Sequence, residues 1–551
     1  MSDALSLREF VEKVEKRLAA YSADQLRAII LERAKRTPPS QRWGFLAMWT
    51  AGEEPAGDEP DEDLLEEIAE LAETVAGGEL CTGWGYDHEI GEERDWGDES
   101  WKDDVDDFFA RAHDALLDGN YALAEKAYAA LFEILAMGED SGYLPGNPNP
   151  ETMLETDLEE ARCSYLRALY FAAPPPERPA GVLEALRKFE RLNLQMVIDA
   201  GVTPLPDWDR FLPAWIALLE ESGPHHLLRE AVRLSGGVNA LADLARRDGA
   251  KHPAAFVDWL AALEEEGDWR AMREAAREGL AVVPPDYAIR ARIARGLVKA
   301  GERLGLPDEQ LTGRREAFYA DPNLDRFLDL VTVAEENGCL EEEVEAALAR
   351  ILALLPKRST SGRWDAETVE STASESLLIS AYLVAGRYRQ AFELCRDNKE
   401  VLGWSHGHNP KGLVVPFFLV LLGGTGANLA RLWDEAVEAV GGYFAPGLPD
   451  RFRRAMDEVF RRVTLTGGEE QEYLAWCVGE ATRRVDAIVG GQHRKSYGKA
   501  AVLLAAVAEA LTGRRKRSEA AALIDGYHQK YFRHRAFRQE LTDATAKMNR
   551  R

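Results

Sequence analysis

The chain has 551 residues, 46% of them hydrophobic, which is enough for two or more domains or for one extended repeat array. Its formal net charge of -28 predicts that most of its surface repels nucleic acid and anionic membranes. Five scattered cysteines form no CxxC or CxH motif, so we expect neither a zinc knuckle nor a disulfide framework. The opening "MSDALSLREF" lacks an apolar signal core and the longest apolar run, 413–422, is too short for a membrane span, so a cytoplasmic protein is expected.

The first patterned segments predict α-helices. "SADQLRAIILERA" opens with a capping box formed by Ser22 and Gln25. A buried face at helical spacing follows, made of Leu26, Ile29, Ile30 and Ala34. "TPPSQRWGFLAMW" predicts the next helix, with Thr37 as its cap and Pro38 at its first position.

A strongly acidic segment comes next. Residues 53–107 contain 23 acidic residues, and Arg94 and Lys102 are the only basic ones. Within this segment, "CTGWGYDHEIGEERDWGDESW" shows no helical period and lacks the twelve-residue pattern of an EF-hand calcium loop. Two interpretations remain open: a loop packed by its aromatic side chains onto the first repeat, or a surface that anchors a protein partner.

The candidate protein-binding residues of this segment are aromatic: Trp84, Tyr86, Trp96 and Trp101. Aromatic side chains anchor interfaces, and surrounding carboxylates steer a partner with a basic surface. Trp96 lies in a polar turn beside Asp95 and Gly97, so we expect it to be exposed. Others of the four would hold the segment on the repeat that contains Tyr121.

Helical patterns continue after the acidic segment. In "VDDFFARAHDALL", a single apolar stripe consists of Val105, Phe108, Phe109, Ala112 and Leu116. Proline-rich connections follow at 143–150 and 173–179. The Ser/Thr-rich, aperiodic stretch 356–376 predicts a hinge between domains.

Three places share a helix, a glycine turn, an aromatic residue and a second helix. These turns carry Gly119 with Tyr121 and Ala124, Gly267 with Trp269 and Ala276, and Gly386 with Tyr388 and Ala391. The pattern resembles the tetratricopeptide repeat, although the turns lie 148 and 119 residues apart. The resemblance implies stacked antiparallel helix pairs.

A second resemblance covers more of the C-terminal half. "RREAFYADPNLDRFLDLVTVAEENG" (314–338) and residues 500–541 are similar to the helical-repeat regions that accompany bacterial SWIM zinc-finger proteins. The CxC and CxH motif of that zinc finger is absent, so the resemblance implies the helical scaffold alone.

The candidate chemical sites each have a simpler interpretation. The glycine-rich "GGTGANLA" (423–430) lacks the GKS/T ending of a phosphate loop, which favours an interhelical turn. His406 and His408, in "GWSHGHNP", would chelate a metal only with ligands from elsewhere. Residues 486–551 contain 14 basic and 6 acidic residues, and we expect Tyr531, Phe532 and Phe537 among them to be core residues.

These observations predict an all-α protein, largely an α-solenoid of antiparallel helix pairs. We expect a helical region with an acidic linker at 1–76, an acidic aromatic loop at 77–104 and a repeat array at 105–355. A hinge at 356–376 and a C-terminal repeat domain with a basic end at 377–551 would follow.

The expected function is a noncatalytic scaffold or regulatory adaptor that binds a protein with a basic surface, without cofactor or metal. One alternative is an acidic regulator that mimics nucleic acid, and another is a metal-dependent enzyme centred on His406 and His408. Nucleic acid is expected, if anywhere, at the basic C-terminal end.

Overall fold

A computed structural model describes residues 7–36, 63–80, 84–87, 92–95, 99–141, 143–145, 149–189, 191–355, 368–403, 409–441, 447–546 and 548. Its regular structure is helical apart from one hairpin of two short strands, which confirms the predicted all-α class. The chain forms two compact units, Met1–Ala240 and Leu241–Arg551. No helix in the described ranges has the length and apolar character needed to cross a membrane.

The helices of the first unit are α1 (Leu7–Leu18), α2 (Ala23–Arg36), α3 (Asp63–Ala76), α4 (Trp101–Leu117), α5 (Tyr121–Ser141), α6 (Leu158–Ala172), α7 (Arg178–Lys188), α8 (Leu194–Asp199), α9 (Trp208–Ser222) and the first part of α10 (His225–Asp248). From α4 to α7, each helix packs on the one before it in the chain. The apolar stripe predicted on α4 is confirmed, because all five of its residues are buried. Non-helical backbone at Gly236 and Gly237 interrupts α10 just before the division between the units.

Two predictions at the N-terminal end have different outcomes. The capping box at the start of α2 is confirmed, since the Ser22 N–H donates to Gln25 Oε1 at 2.8 Å and the Gln25 N–H donates to Ser22 Oγ at 3.3 Å. The buried face predicted for α2 is not found as such, because Ile29 is 49% exposed, and Leu26 and Ile30 are only half-buried. The helix predicted after Thr37 lies outside the described residues.

The acidic aromatic segment contains the hairpin. Strand β1 (Trp84–Asp87) pairs antiparallel with β2 (Glu92–Asp95), with Trp84 opposite Asp95 and Asp87 opposite Glu92. The sequence pattern predicts no strand here. WGYD and EERD are too short and too polar to show the alternating apolar pattern that identifies a half-buried strand.

The helices of the second unit are the remainder of α10, then α11 (Ala254–Glu266), α12 (Trp269–Val282), α13 (Arg290–Leu304), α14 (Pro307–Ala320), α15 (Leu324–Glu336), α16 (Leu340–Leu354), α17 (Glu375–Val384), α18 (Tyr388–Asp397), α19 (Lys411–Gly423), α20 (Ala427–Gly441), α21 (Leu448–Arg462), α22 (Gly467–Gly490), α23 (Tyr497–Gly513), α24 (Arg517–Lys530) and α25 (Arg535–Ala546). From α11 to α18 each helix packs on the next. This run is the solenoid-like part of the unit.

The predicted glycine turns are confirmed and belong to a larger set. Gly119, Gly267 and Gly386 each join two helices with φ between 69° and 83°, the left-handed region that favours glycine. Gly305 (φ 68°) and Gly338 (φ 72°) do the same between α13 and α14 and between α15 and α16. Four consecutive helix pairs of the second unit therefore share one turn geometry, with glycines 38, 33 and 48 residues apart.

The longest of these intervals contains the predicted hinge. Residues 356–367 lie outside the described part, but Ser371 N–H donates to the Asp286 carbonyl at 2.7 Å and Ala288 N–H donates to the Val369 carbonyl at 2.8 Å. One hydrophobic core contains both Ile351 and Leu378, on the two sides of the stretch. The stretch therefore interrupts a continuous array within one compact unit, and its behaviour as a hinge stays a prediction.

The C-terminal helices form a bundle around α23. Apart from Glu509, the sequence AAVLLAAVAEAL (500–511) is apolar on every side, as expected of a helix surrounded by others. Every residue from Ala500 to Leu511 is buried, and α23 contacts α19, α20, α22, α24 and α25.

Candidate protein-binding cleft

The four aromatic residues predicted to bind a partner do not share one environment. Trp101, the first residue of α4, is 1% exposed, and its Nε1–H donates to the Pro145 carbonyl at 2.9 Å. It therefore anchors the start of α4 and cannot contact a partner, which corrects its prediction as a binding residue. Trp84 and Tyr86 belong to strand β1, and Trp96 lies outside the described residues. Their role in binding stays a prediction.

Negative charge is concentrated on the first unit. Residues 63–162 contain 28 acidic and 5 basic residues, most of the net charge of the chain. Exposed carboxylates occur on α3, on α4 and at the start of α6, and we call this set the acidic face: Glu66, Glu70, Glu73, Asp103, Asp104, Asp107, Asp114, Glu159 and Glu160. Arg111 lies beside this set, 2.5 Å from Glu67 and 3.8 Å from Asp107.

A cleft of about 230 Å³ opens on this face between α4 and α6. Its residues are Asp106, Phe109, Ala110, His113, Tyr128, Thr156, Asp157, Glu160, Ala161 and Ser164. Phe109 and Ala161 are buried and form the apolar floor, whereas Asp157 and Glu160 are exposed at the rim. We call this site the α4–α6 cleft.

The three carboxylates of the cleft differ in their hydrogen bonding. Asp106 accepts from the Glu155 N–H and the Thr156 N–H, each at 2.9 Å, and from the Thr156 hydroxyl at 2.6 Å. Asp157 caps α6 by accepting from the Glu159 and Glu160 N–H groups. Glu160 itself has no hydrogen-bond or ion-pair partner among the residues that the structure describes. Its charge is available to a ligand.

Two hydroxyls and an imidazole line the interior of the cleft. Ser164 is 1% exposed, and its Oγ makes no hydrogen bond of acceptable geometry in the described structure, although it lies close enough to the Tyr128 hydroxyl to lower the pKa of Tyr128 against the larger effect of burial. Burial is the main cause that raises the pKa of Tyr128, and the charges of Glu160 and Asp114 raise it further. The Tyr128 hydroxyl lies 3.4 Å from His113 Nδ1. Because an unpaired buried hydroxyl costs free energy, Ser164 favours a ligand that donates or accepts there.

The second unit contains a larger groove of about 830 Å³ between α15, α16, α17 and α21. Several of its charged groups are paired: Arg451 Nη2 lies 2.6 Å from Asp329, and Arg314 Nη1 lies 2.9 Å from the same carboxylate. Arg462 and Glu335 approach within 3.9 Å. Because these charged groups are already paired within the chain, they need no ligand to neutralise them. The groove is therefore a weaker candidate for a binding site than the α4–α6 cleft.

The glycine-rich turn at 423–430 is an interhelical turn, as favoured by the sequence. Glu509, buried on α23, points its carboxylate at the start of α20. It accepts from the Leu429 N–H at 2.9 Å, the Asn428 N–H at 3.1 Å and Asn428 Nδ2 at 2.8 Å. A carboxylate of the chain thus occupies the place where a phosphate loop would hold a phosphate.

The remaining candidates for chemistry give no site in the described residues. His406 and His408 lie outside them, and no group of three or more potential metal-binding side chains occurs within them. Burial raises the pKa of the Cys163 and Cys395 thiols to about 12, so neither is a ready nucleophile.

No protein-family model matches the chain, and no curated protein matches it. Among solved structures, the crystal structure of the P58(IPK) TPR domain covers 81% of this chain and 100% of its own, at 12% identity and a TM-score of 0.16. A TM-score this low does not indicate a shared fold, and the helical repeats are seen in the helices of the chain itself. The similarity to regions of SWIM zinc-finger proteins is not shown and stays a prediction.

Proposed function

We propose that the chain is a noncatalytic helical-repeat scaffold that binds a basic segment of a partner protein at its acidic face. In this proposal the α4–α6 cleft receives a lysine or arginine side chain of the partner. The methylene groups of that side chain would lie on Phe109 and Ala161, and its cationic end would meet Glu160 and the hydroxyl of Ser164.

One observation carries the proposal. The α4–α6 cleft combines a carboxylate that lacks a partner among the described residues with a buried hydroxyl that makes no hydrogen bond of acceptable geometry there, over an apolar floor. The charges of Glu160 and Asp114 reach the interior, since both raise the pKa of the buried Tyr128. A lysine ammonium has three donors and no acceptor, which suits this arrangement of acceptors.

Peptide binding tests the proposal directly. A fluorescein-labelled peptide of lysines separated by glycine and serine is titrated with the full chain, and fluorescence anisotropy reports binding. The same peptide with acetylated lysines keeps the shape and loses the charge. We expect the lysine peptide alone to bind, with Ser164→Ala weakening it about tenfold, as for a lost hydrogen bond to a charged group.

A neighbouring pair of glutamates provides the matched control. Glu159 and Glu160 are both exposed in the first turn of α6, so replacing either with glutamine has the same effect on the helix dipole. Only Glu160 lines the cleft. We expect Glu160→Gln to weaken binding about fivefold and Glu159→Gln to leave it unchanged. Equal losses for the two variants, or equal binding of the acetylated peptide, would contradict the proposal.

A second candidate function is a regulator that mimics nucleic acid, and the charge surplus of residues 63–162 favours it. A nucleic-acid mimic would bind its partner through many exposed carboxylates together, whereas the α4–α6 cleft would bind a single lysine or arginine side chain of the partner. Salt separates the two: affinity that rests on dispersed surface charge falls steeply between low and physiological ionic strength. Affinity that survives and still depends on Ser164 supports the cleft.

A further inference from the structure

The end of the C-terminal bundle is basic in an otherwise acidic chain. Residues 487–508 and 526–539 contain no acidic residue, and their basic residues are Arg494, Lys495, Lys499, Lys530, Arg533, Arg535 and Arg538. The turns before α23 and before α25 meet here, because the Tyr497 ring lies 5.9 Å from that of Phe537, which lies 5.8 Å from that of Tyr531. We call these two turns and their basic residues the basic end.

An aromatic side chain stands exposed in the middle of this surface. Phe532 is 61% exposed, and the Arg533 guanidinium lies over its ring at 5.2 Å. The expectation that Phe532 belongs to the core is wrong, whereas Tyr531 and Phe537 are buried as expected. Phe532 is exposed because it falls in the turn after α24, with its carbonyl accepting from Arg538 at 3.3 Å.

Few carboxylates oppose this positive charge. Asp486 lies 2.7 Å from Lys530 Nζ and accepts from the Tyr531 hydroxyl at 2.9 Å, so it neutralises one lysine. Glu540 lies beside Gly498. Arg533 and Arg535 are exposed and have no ion pair in the described structure. An exposed aromatic ring among unpaired arginines is the composition of an interface anchor.

We propose that the basic end binds the acidic face of a second copy of this chain. Both surfaces belong to the same molecule, and their charges are complementary. At physiological salt the Debye length is about 8 Å, so the net repulsion between copies is screened more strongly than contacts at the interface. The contact is heterologous, because two different surfaces meet, and it leaves one surface of each kind free in a dimer.

A protein surface fits the basic end better than a nucleic acid does. Binding to single strands relies on several stacking aromatic side chains, and Phe532 is the single large exposed aromatic among the described residues of the two turns. The net charge of -28 also opposes a long polyanion. The inference rests on the proposed function in one respect: both need the acidic face to bind positive charge.

Sedimentation velocity of the full chain tests the inference through two complementary variants. The first reverses the basic end with Arg533→Glu and Arg535→Glu, and the second reverses the acidic face with Asp114→Lys and Glu160→Lys. We expect the parent to self-associate with rising concentration and each variant to associate at least about tenfold more weakly in that range. A mixture of the two variants should form a one-to-one dimer, since each supplies the surface that the other lacks.

Controls and contrary outcomes are clear. Arg389→Glu with Arg431→Glu, on α18 and α20, changes the net charge by the same amount as the basic-end variant and should leave association unchanged. A parent that stays monomeric at every concentration, or a variant mixture that does not combine, overturns the inference. Binding of labelled oligothymidylate that the basic-end variant loses, with the parent monomeric, assigns nucleic acid instead. Lysine-peptide binding that persists in a monomeric parent refutes this inference and leaves the proposed function standing.

Discussion

Replacing Glu509 should destabilise the second unit strongly, because this side chain caps α20 from a different helix. Glu509→Ala removes the acceptor of two backbone N–H groups, those of Asn428 and Leu429, while Asn428 Nδ2 keeps the Ala544 carbonyl at 3.1 Å. Each buried donor left without a partner costs about 1–3 kcal/mol. Water that enters the vacated space recovers part of this, so we expect a loss of roughly 3 kcal/mol in the free energy of unfolding.

Two further variants separate the capping interaction from general effects. Glu509→Gln keeps one acceptor oxygen and loses the charge, so about half of the effect should remain. Glu435→Ala removes an exposed carboxylate from α20 whose partner is Arg431 at 2.9 Å, and such pairs contribute within about 0.5 kcal/mol. Urea unfolding followed by far-UV circular dichroism measures all three.

Anion binding gives a second measurement. Without the carboxylate, the N–H groups at the start of α20 become a site for a small anion. Sulfate should therefore raise the urea midpoint of Glu509→Ala more than that of the parent, relative to chloride at equal ionic strength. Equal midpoints for Glu509→Ala and Glu435→Ala, with no added response to sulfate, would refute the capping interaction.

Three other predictions concern the glycine turns, one buried thiol and two tryptophans. Gly338→Ala should lower the free energy of unfolding by about 1–2 kcal/mol, because its φ is 72° and no neighbouring atom crowds the position. Gly479→Ala, inside α22 and equally uncrowded, should raise it by about 0.5–1 kcal/mol. Melting temperatures that shift in the same direction for both variants would contradict this. Burial raises the pKa of Cys395 from 9.0 to about 12, so the folded state keeps the thiol protonated and loses stability as pH rises from 9.0 towards 12. The urea midpoint should therefore fall less over that range in Cys395→Ala than in the parent. An identical fall would show that this thiol does not contribute to the loss. Trp101→Ala should lower the free energy of unfolding by about 3–5 kcal/mol, because the side chain is buried. Trp96→Ala should leave the melting temperature unchanged and weaken partner binding by about 2 kcal/mol or more. Unfolding of the Trp96 variant would indicate that this side chain packs in the core instead.

The helical class and the start of several elements could be predicted from the sequence because they depend on local patterns. The stripe on α4 and the capping box at Ser22 involve residues within a few turns of one another. Gly119, Gly267 and Gly386 are recognisable because an aromatic residue follows each by two positions. Gly305 and Gly338 escape this pattern because Pro307 and Leu340 occupy that position, so the regular series of turns appears only in the fold.

The candidate site depended on contacts between residues far apart in the chain. The acidic composition around α4 was visible, but Glu160 and Ser164 meet Tyr128 only after α6 packs on the preceding pair. In the same way, composition could not show that Glu509 closes the turn at 423–430, 81 residues away from its partner Asn428.

Burial is the other property that tertiary structure decided. Trp101 and Phe532 both stand beside charged residues in the sequence, yet one is buried and the other exposed. Periodicity identifies which residues share a face of a helix, and it thereby determined the helices of this protein. Whether another helix covers that face depends on how distant segments pack, because burial is a property of the assembled chain and not of the local pattern.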